Sequence, residues 1–226
     1  MTHARLLDTA APKAPRGIAL VLHGGAARRG TARVSPTQLS VLRMVPIAAR
    51  IARAVKGEAA VLRLLNSTRG WDAAHTPVDD VHWALGQVAE RFGPGLPVTL
   101  VGHSLGGRAA LLAAREHPVV SAVALNPWVY PDEGRRTNLS GRNVLIVHGD
   151  EDRVARPRNS ASVARDLART ADHVGYVTVT GGKHAMLRRH EVFDGLAADF
   201  TAATLVGRPT DGAVGQVLAG EEWVEV

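Results

Sequence analysis

Residues 97–114, PVTLVGHSLGGRAALLAA, read as a buried strand, a glycine-rich turn and a helix. Two chemistries use that arrangement. In a phosphate cradle, amides at the helix start hold an anion. In a nucleophile elbow, the turn lifts a serine above the sheet. The cradle spacing set by Gly102 and Gly107 next requires Lys and then Ser or Thr, but the sequence has Arg108 and Ala109. Alanine cannot hold magnesium. A dinucleotide fingerprint fails too, because Ser104 stands where its second glycine belongs. Gly102-x-Ser104-x-Gly106 fits the elbow, and the two glycines leave room for a tight, strained turn.

A serine hydroxyl is a poor nucleophile unaided. It needs an imidazole base, and the base needs a carboxylate that fixes its tautomer. At an elbow both belong in turns after later strands, in the order Ser, acid, His. After the strand at 143–149 the turn HGDEDRV offers Asp150, Glu151 and Asp152, and after the next strand the turn TGGKHAML offers His184. Other histidines fit less well. His23 and His148 end strands before a glycine and should bond within their own turns. His103 adjoins the serine but should point elsewhere, and His190 should begin a helix. An oxyanion hole needs two backbone donors. The N–H of Leu105 follows the serine, and Gly25 leads as the second donor from the loop LHGGAARRG, with Ala26 next.

These groups work only if the chain carries them to one edge. Apolar, strand-like runs at 17–23, 58–65, 97–102, 119–126, 143–149 and 173–182 alternate with helical patterns at 37–55, 78–92, 104–116, 159–171 and 190–204. Pro46 should kink or break the first helix. Near-continuous apolar strands alternating with helices predict an α/β fold, a doubly wound, mostly parallel sheet with helices on both faces. Its ligand site lies at the C-terminal strand ends. A single domain over 1–226 is expected, with its core at about 17–204. Residues 207–226 break the rhythm and fit a loose tail, an added edge strand or a partner-binding extension.

Composition narrows the function classes. With no cysteine among 226 residues, a thiolate nucleophile, disulfides and Cys-ligated metals are excluded. The first residues lack a signal-type apolar stretch, and no run approaches the roughly 20 apolar residues that span a bilayer. The expectation is a soluble, cytoplasmic chain without membrane insertion. The formal charge is +6, but the arginines are scattered as Arg28-Arg29, Arg135-Arg136 and Arg188-Arg189, and aromatics make up only 4% of the chain. A stacking platform for bases is therefore not expected, and the charge reads as a basic solvated surface.

Taken in order, LHGGA, GHSLGG, HGDEDRV and GGKH make residues 17–204 resemble the α/β-hydrolase superfamily. The resemblance implies that the acid is the aspartate four residues beyond His148, which is Asp152 with Val154 following; Asp150 is the fallback. It also implies a reduced version of the fold, with the first antiparallel strands missing or shortened. Only PWVYPDEGRRTNLSGR separates the strands between which the superfamily often inserts a lid. No cap domain is expected, and an open site favours small or extended substrates. The short form is similar to the dienelactone-hydrolase and small carboxylesterase branches, with Ser in place of the former's Cys. Trp71, Trp128, Tyr130 and Met186 are candidates to line an acyl pocket, with plain packing as the alternative. The implied activity is a serine hydrolase cleaving an ester, thioester or related acyl bond of a small-molecule substrate, with no metal or organic cofactor. The same residues also fit acyl transfer, lyase or peptidase chemistry, or a ligand-binding protein without turnover.

Overall fold

A computed structural model describes residues 4–25, 34–71 and 75–226. In chain order the elements are β1 (Arg5–Ala10), β2 (Gly17–Leu22), α1 (Leu39–Leu42), α2 (Met44–Ala54), β3 (Ala59–Leu65), α3 (Thr76–Phe92), β4 (Val98–His103) and α4 (Leu105–Ala113). They continue with β5 (Val119–Leu125), a 3-10 turn at Glu133–Arg136, β6 (Asn143–Gly149), α5 (Pro157–Leu167), β7 (His173–Val179), α6 (His190–Val206), α7 (Gly212–Leu218) and β8 (Trp223–Glu225).

The strands form one sheet in the order β1-β3-β2-β4-β5-β6-β7-β8. Only β1 runs antiparallel, paired along β3 from Arg5↔Leu65 to Ala10↔Val61. Strand side chains alternate between two packed layers. Ile18, Leu20 and Leu22 face one layer with Val81, Ala84 and Val88 of α3, Ala110 of α4 and Val163 of α5. Ala19 and Val21 face the other with Met44, Ile47 and Ile51 of α2 and Phe193 and Phe200 of α6. Helices on both faces explain why the central strands are mainly apolar on both sides.

Three features that the sequence left open or placed differently have local causes. One antiparallel strand, β1, precedes Gly17; its alternating, half-buried pattern is that of an edge strand, not the apolar run that marks a buried one. The 37–55 helix divides at Arg43 into α1 and α2. Pro46 is tolerated inside the first turn of α2, where its missing N–H has no intrahelical acceptor to lose. Finally, of the alternatives for residues 207–226 the structure shows the added edge strand: they form α7 and β8, and β8 adds to the sheet in parallel with β7, from Tyr176↔Trp223 to Thr178↔Glu225. Gly175 makes the docking of α7 possible, since a Cβ there would fall 2.2 Å from Val217 Cγ1.

The chain winds from β2 outward to β3, then crosses back over β2 to β4 and onward. The winding therefore reverses between β2 and β4, the position at which open α/β sheets bind ligands. The loops after those two strands carry Gly24-Gly25 and Ser104.

Candidate active site

Ser104 sits between β4 and α4 with φ 56° and ψ −118°, outside the regions open to most L-residues. The flanking glycines allow this turn by close approach. A Cβ on Gly102 would fall 2.1 Å from Gly106 O, and one on Gly106 would fall 2.5 Å from Leu22 O. The turn is fixed on both sides: Ser104 N–H donates to Leu125 O at 3.0 Å, and the N–H groups of Arg108 and Trp128 both donate to Ser104 O at 3.1 Å.

Ser104 Oγ lies 3.0 Å from His184 Nε2. His184 Nδ1 lies 2.7 Å from Asp152 Oδ2. The structure thus brings these three sequence-predicted residues into one hydrogen-bonded line, from turns after β4, β6 and β7. Asp150 lies elsewhere, accepting the Gly181 N–H at 2.8 Å from an exposed position. Asp152 Oδ1 accepts the N–H groups of Val154 at 2.8 Å and Ala155 at 2.9 Å. Burial raises the pKa of Asp152, but the hydrogen bonds from His148 and His184 outweigh it and hold the carboxyl well below its ordinary range.

Three residues that the motif reading passed over fix this line. Asn126, fully buried at the end of β5 with φ 43°, accepts the Gly149 N–H through Oδ1 at 2.8 Å. Its Nδ2 donates to Lys183 O at 3.0 Å and His184 O at 3.2 Å. His103 does not point away as expected. Its ring lies 5.0 Å from the His184 ring, and its Nε2–H donates to His184 O at 2.8 Å. Burial, followed by the neighbouring His184, pushes its pKa down to about 3, so the ring is neutral. Arg43 donates to the carbonyls of Ala185 and Met186, both at 3.3 Å, and pairs with Asp194 at 2.6 Å. The signal available for these was weak: an Asn closing an apolar strand, a His beside the serine and an Arg at the helix break.

His23 bonds within its own turn, as expected, and also reaches the loop after β3. Asn66 N–H donates to His23 Nε2 at 3.1 Å, so the proton is on Nδ1, which donates to Gly24 O at 2.6 Å. Burial lowers this ring's pKa and favours the neutral form. Gly24 and Gly25 lie beside the elbow: a Cβ on Gly24 would be 3.2 Å from Ser104 Cβ, and one on Gly25 would be 3.5 Å from Leu105 Cδ1 and 2.5 Å from Arg69 O. Ala26 lies outside the described residues.

The four pocket candidates separate. Met186 is fully buried in the α2–α6 layer, and so is a core residue and not a wall of an open cleft. Trp71, Trp128 and Tyr130 instead surround the guanidinium of Arg108, one turn after Ser104, with ring centroids 4.1, 5.9 and 5.0 Å from its carbon. Arg108 is buried and pairs with Glu133 through two of its nitrogens, Nε lying 2.8 Å from Oε1. Their ring surfaces are at least partly committed to that cation. Among the described residues no group of three or more His, Asp or Glu is placed to hold a metal ion. A separate cleft of about 360 Å³, lined by His82, Leu85, Pro94 and His117 among others, lies at the opposite, N-terminal edge of the strands.

Between β5 and β6 the chain forms only the 3-10 turn at Glu133–Arg136, so no helical lid covers the elbow there. No helix of the described residues is long and apolar enough to cross a membrane.

No protein-family model matches the sequence. Solved structures do match. Est1E from Butyrivibrio proteoclasticus superposes with a TM-score of 0.66 at 16% identity, over 90% of this chain and 94% of that one. XC6422 from Xanthomonas campestris, described as an α/β serine hydrolase without lid, gives 0.64 at 17% identity, over 92% and 98%. A monoacylglycerol lipase from Paleococcus ferrophilus gives 0.64 at 15% identity, over 89% and 99%. With these superpositions and no insertion between β5 and β6, the chain has the α/β-hydrolase fold in its lidless form.

Proposed function

We propose that the protein is a serine hydrolase that cleaves a carboxylic ester, thioester or related acyl bond of a small molecule. The observation that carries this reading is the line Ser104 Oγ–His184 Nε2–Asp152 Oδ2, at 3.0 and 2.7 Å, starting from a strained elbow at the sheet's switch point. The fold match to a monoacylglycerol lipase supports the ester class.

In this reading Asp152 accepts the Nδ1–H of His184, which leaves Nε2 as an acceptor facing the hydroxyl. As Ser104 Oγ attacks the acyl carbon, His184 takes its proton and Asp152 stabilises the imidazolium. The carbonyl oxygen becomes an oxyanion held by the N–H groups of Leu105 and Gly25. Leu105 heads α4, where first-turn amides lack intrahelical acceptors. Gly25 N–H shares a peptide plane with Gly24 C=O, so His23, by gripping Gly24 O, fixes the direction of that donor. His184 then protonates the leaving alkoxide or thiolate. Water, deprotonated by His184, attacks the acyl-enzyme and releases the carboxylic acid and free Ser104. None of these steps uses a metal or organic cofactor.

A fluorophosphonate probe tests the reading. The wild-type protein should label at Ser104 and hydrolyse short-chain esters, and Ser104→Ala should do neither. A wild type that does not label, or a Ser104→Ala protein with undiminished ester turnover, would overturn it.

A further inference from the structure

Asp152 faces two imidazoles. Its Oδ2 is 2.7 Å from His184 Nδ1 and 3.3 Å from His148 Nε2, and the side chains of Asp152 and His148 are both completely buried. His148 Nε2 is also 3.2 Å from Ala155 O. A carboxylate oxygen and a carbonyl oxygen are both acceptors, so this nitrogen must carry a hydrogen.

The other side of the ring agrees. His148 Nδ1 is 2.7 Å from Ser160 Oγ. That hydroxyl also lies 2.9 Å from Pro157 O and 3.2 Å from Tyr176 Oη. If Ser160 donates to Nδ1, the ring is the neutral Nε2–H tautomer. If Ser160 donates to Pro157 O, Nδ1–H donates to Ser160 and the ring is cationic. Both arrangements aim an Nε2–H at Asp152 and the Ala155 carbonyl.

We propose that His148 is a positioning residue for the reaction: its Nε2–H, steered by Ser160, holds Oδ2 of Asp152 in the plane that His184 needs and draws charge from that oxygen. The proposal rests on the Ser104–His184–Asp152 reading above. It gives the histidine of the HGDED turn a task in the site, beyond closing its own turn. Without His148, Oδ2 loses a buried donor. The carboxylate becomes more basic and less fixed, and it binds the His184 proton more tightly in the resting enzyme. Among the described residues, the other charged and titratable groups facing the His184–Asp152 pair include His103, whose Nε2–H is committed to His184 O, Arg43, whose charge is met by Asp194 at 2.6 Å, and Tyr176, whose hydroxyl donates to Pro157 O at 3.1 Å and whose pKa is raised by burial and by the Asp152 charge. Each is held by its own partners, so none replaces the lost donor.

The test is the kinetics of His148→Leu, His148→Gln and Ser160→Ala on a short-chain ester, with fluorophosphonate labelling of each folded protein. His148→Leu should lower kcat by roughly tenfold to a hundredfold, the worth of one hydrogen bond to a charged group, with KM little changed. The acidic limb of kcat/KM, which belongs to the coupled pair, should move to higher pH. His148→Gln, which retains an N–H donor, should recover most of kcat and return the limb. Ser160→Ala should shift both in the same direction by less, and it provides the measurement if His148→Leu does not fold. A folded His148→Leu with wild-type kcat and pH profile overturns the proposal. So does a loss that appears only in thermal stability and is not recovered by His148→Gln. If the wild type itself fails to label, the triad reading falls and this proposal falls with it; if the wild type labels normally, only the role of His148 is at stake.

Discussion

The side-chain amide of Asn126 donates to the backbone carbonyl of His184 at 3.2 Å, across 58 positions of sequence. The same side chain accepts Gly149 N–H at 2.8 Å and donates to Lys183 O. One buried amide therefore ties the turn after β6, which carries Asp152, to the turn after β7, which carries His184. All three of these hydrogen bonds run to backbone, so the amide sets loop geometry.

Replacing it should separate the two loops. Asn126→Gly tolerates the positive φ of 43°, so any remaining loss belongs to the amide. The change leaves a buried N–H and two carbonyls without that partner, at about 1–3 kcal/mol for an unsatisfied group. We expect a stability loss in that range by urea melts and a fall in kcat larger than any change in KM. An unchanged kcat would show that the loops hold their register without the amide.

The identity of the acid separates two neighbouring aspartates. Asp152→Asn presents an amide to His184 Nδ1 and favours the wrong tautomer. By analogy with other triads this should cost about 10⁴ in kcat. Asp150 only caps Gly181 from the surface, so Asp150→Asn should change ester turnover by less than about threefold, in keeping with the roughly 0.5 kcal/mol usual for a surface substitution. Steady-state rates on one short-chain ester decide the matter, and the reverse ranking would move the acid to Asp150.

Most of this arrangement was legible because each predicted group follows a strand whose apolar run is unmistakable. Ser104, Asp152 and His184 sit after β4, β6 and β7, and a parallel sheet brings such turns to one edge. What escaped the sequence was of two kinds. β1 and β8 are edge strands with mixed, partly exposed faces, so they lack the continuous hydrophobic signal of a central strand. Asn126, His103 and Arg43 act through partners 23 to 151 positions away, and no local spacing encodes those pairings. Met186 misled for a related reason: two residues beyond His184 it looked like a pocket wall, but its positive φ of 55° accompanies a side chain buried in the core.

The neutral, buried His103 makes acid sensitivity predictable. Its pKa lies near 3 in the folded protein against an ordinary value of 6.5. Between those limits the unfolded chain binds a proton that the folded chain does not, so stability falls as pH drops from 6.5 toward about 3. His23 is shifted in the same direction by burial. Asp152, held low by its hydrogen bonds, also loses its contribution in acid, as pH falls through its ordinary range toward its folded value. His103→Gln retains a donor for His184 O and removes one titrating group. Urea melts across this pH range should give a shallower dependence for His103→Gln than for wild type. Identical slopes would mean that His103 is not neutral in the fold.

The Arg108–Glu133 pair supports the elbow from below. The Arg108 side chain is 5% exposed and that of Glu133 16%, and Trp71 lies 4.1 Å over the guanidinium. Removing one partner of such a pair strands the other charge, which costs about 3–5 kcal/mol, whereas removing both with apolar residues of similar size is often nearly neutral. We therefore expect Arg108→Met and Glu133→Leu each to lower stability by about that amount, and the double variant to be more stable than either single one. The cation also organises the three rings, because Trp71, Trp128 and Tyr130 all pack on it. Arg108→Met should then raise KM for aryl or branched acyl esters more than for acetyl esters, with kcat on acetyl esters largely kept. Denaturant melts of the four proteins give the coupling energy, and the KM comparison across acyl groups reports the wall. Additive stability losses would show that the two charges do not depend on each other. A KM that rises equally for every ester would show that the rings serve the elbow and not the acyl group.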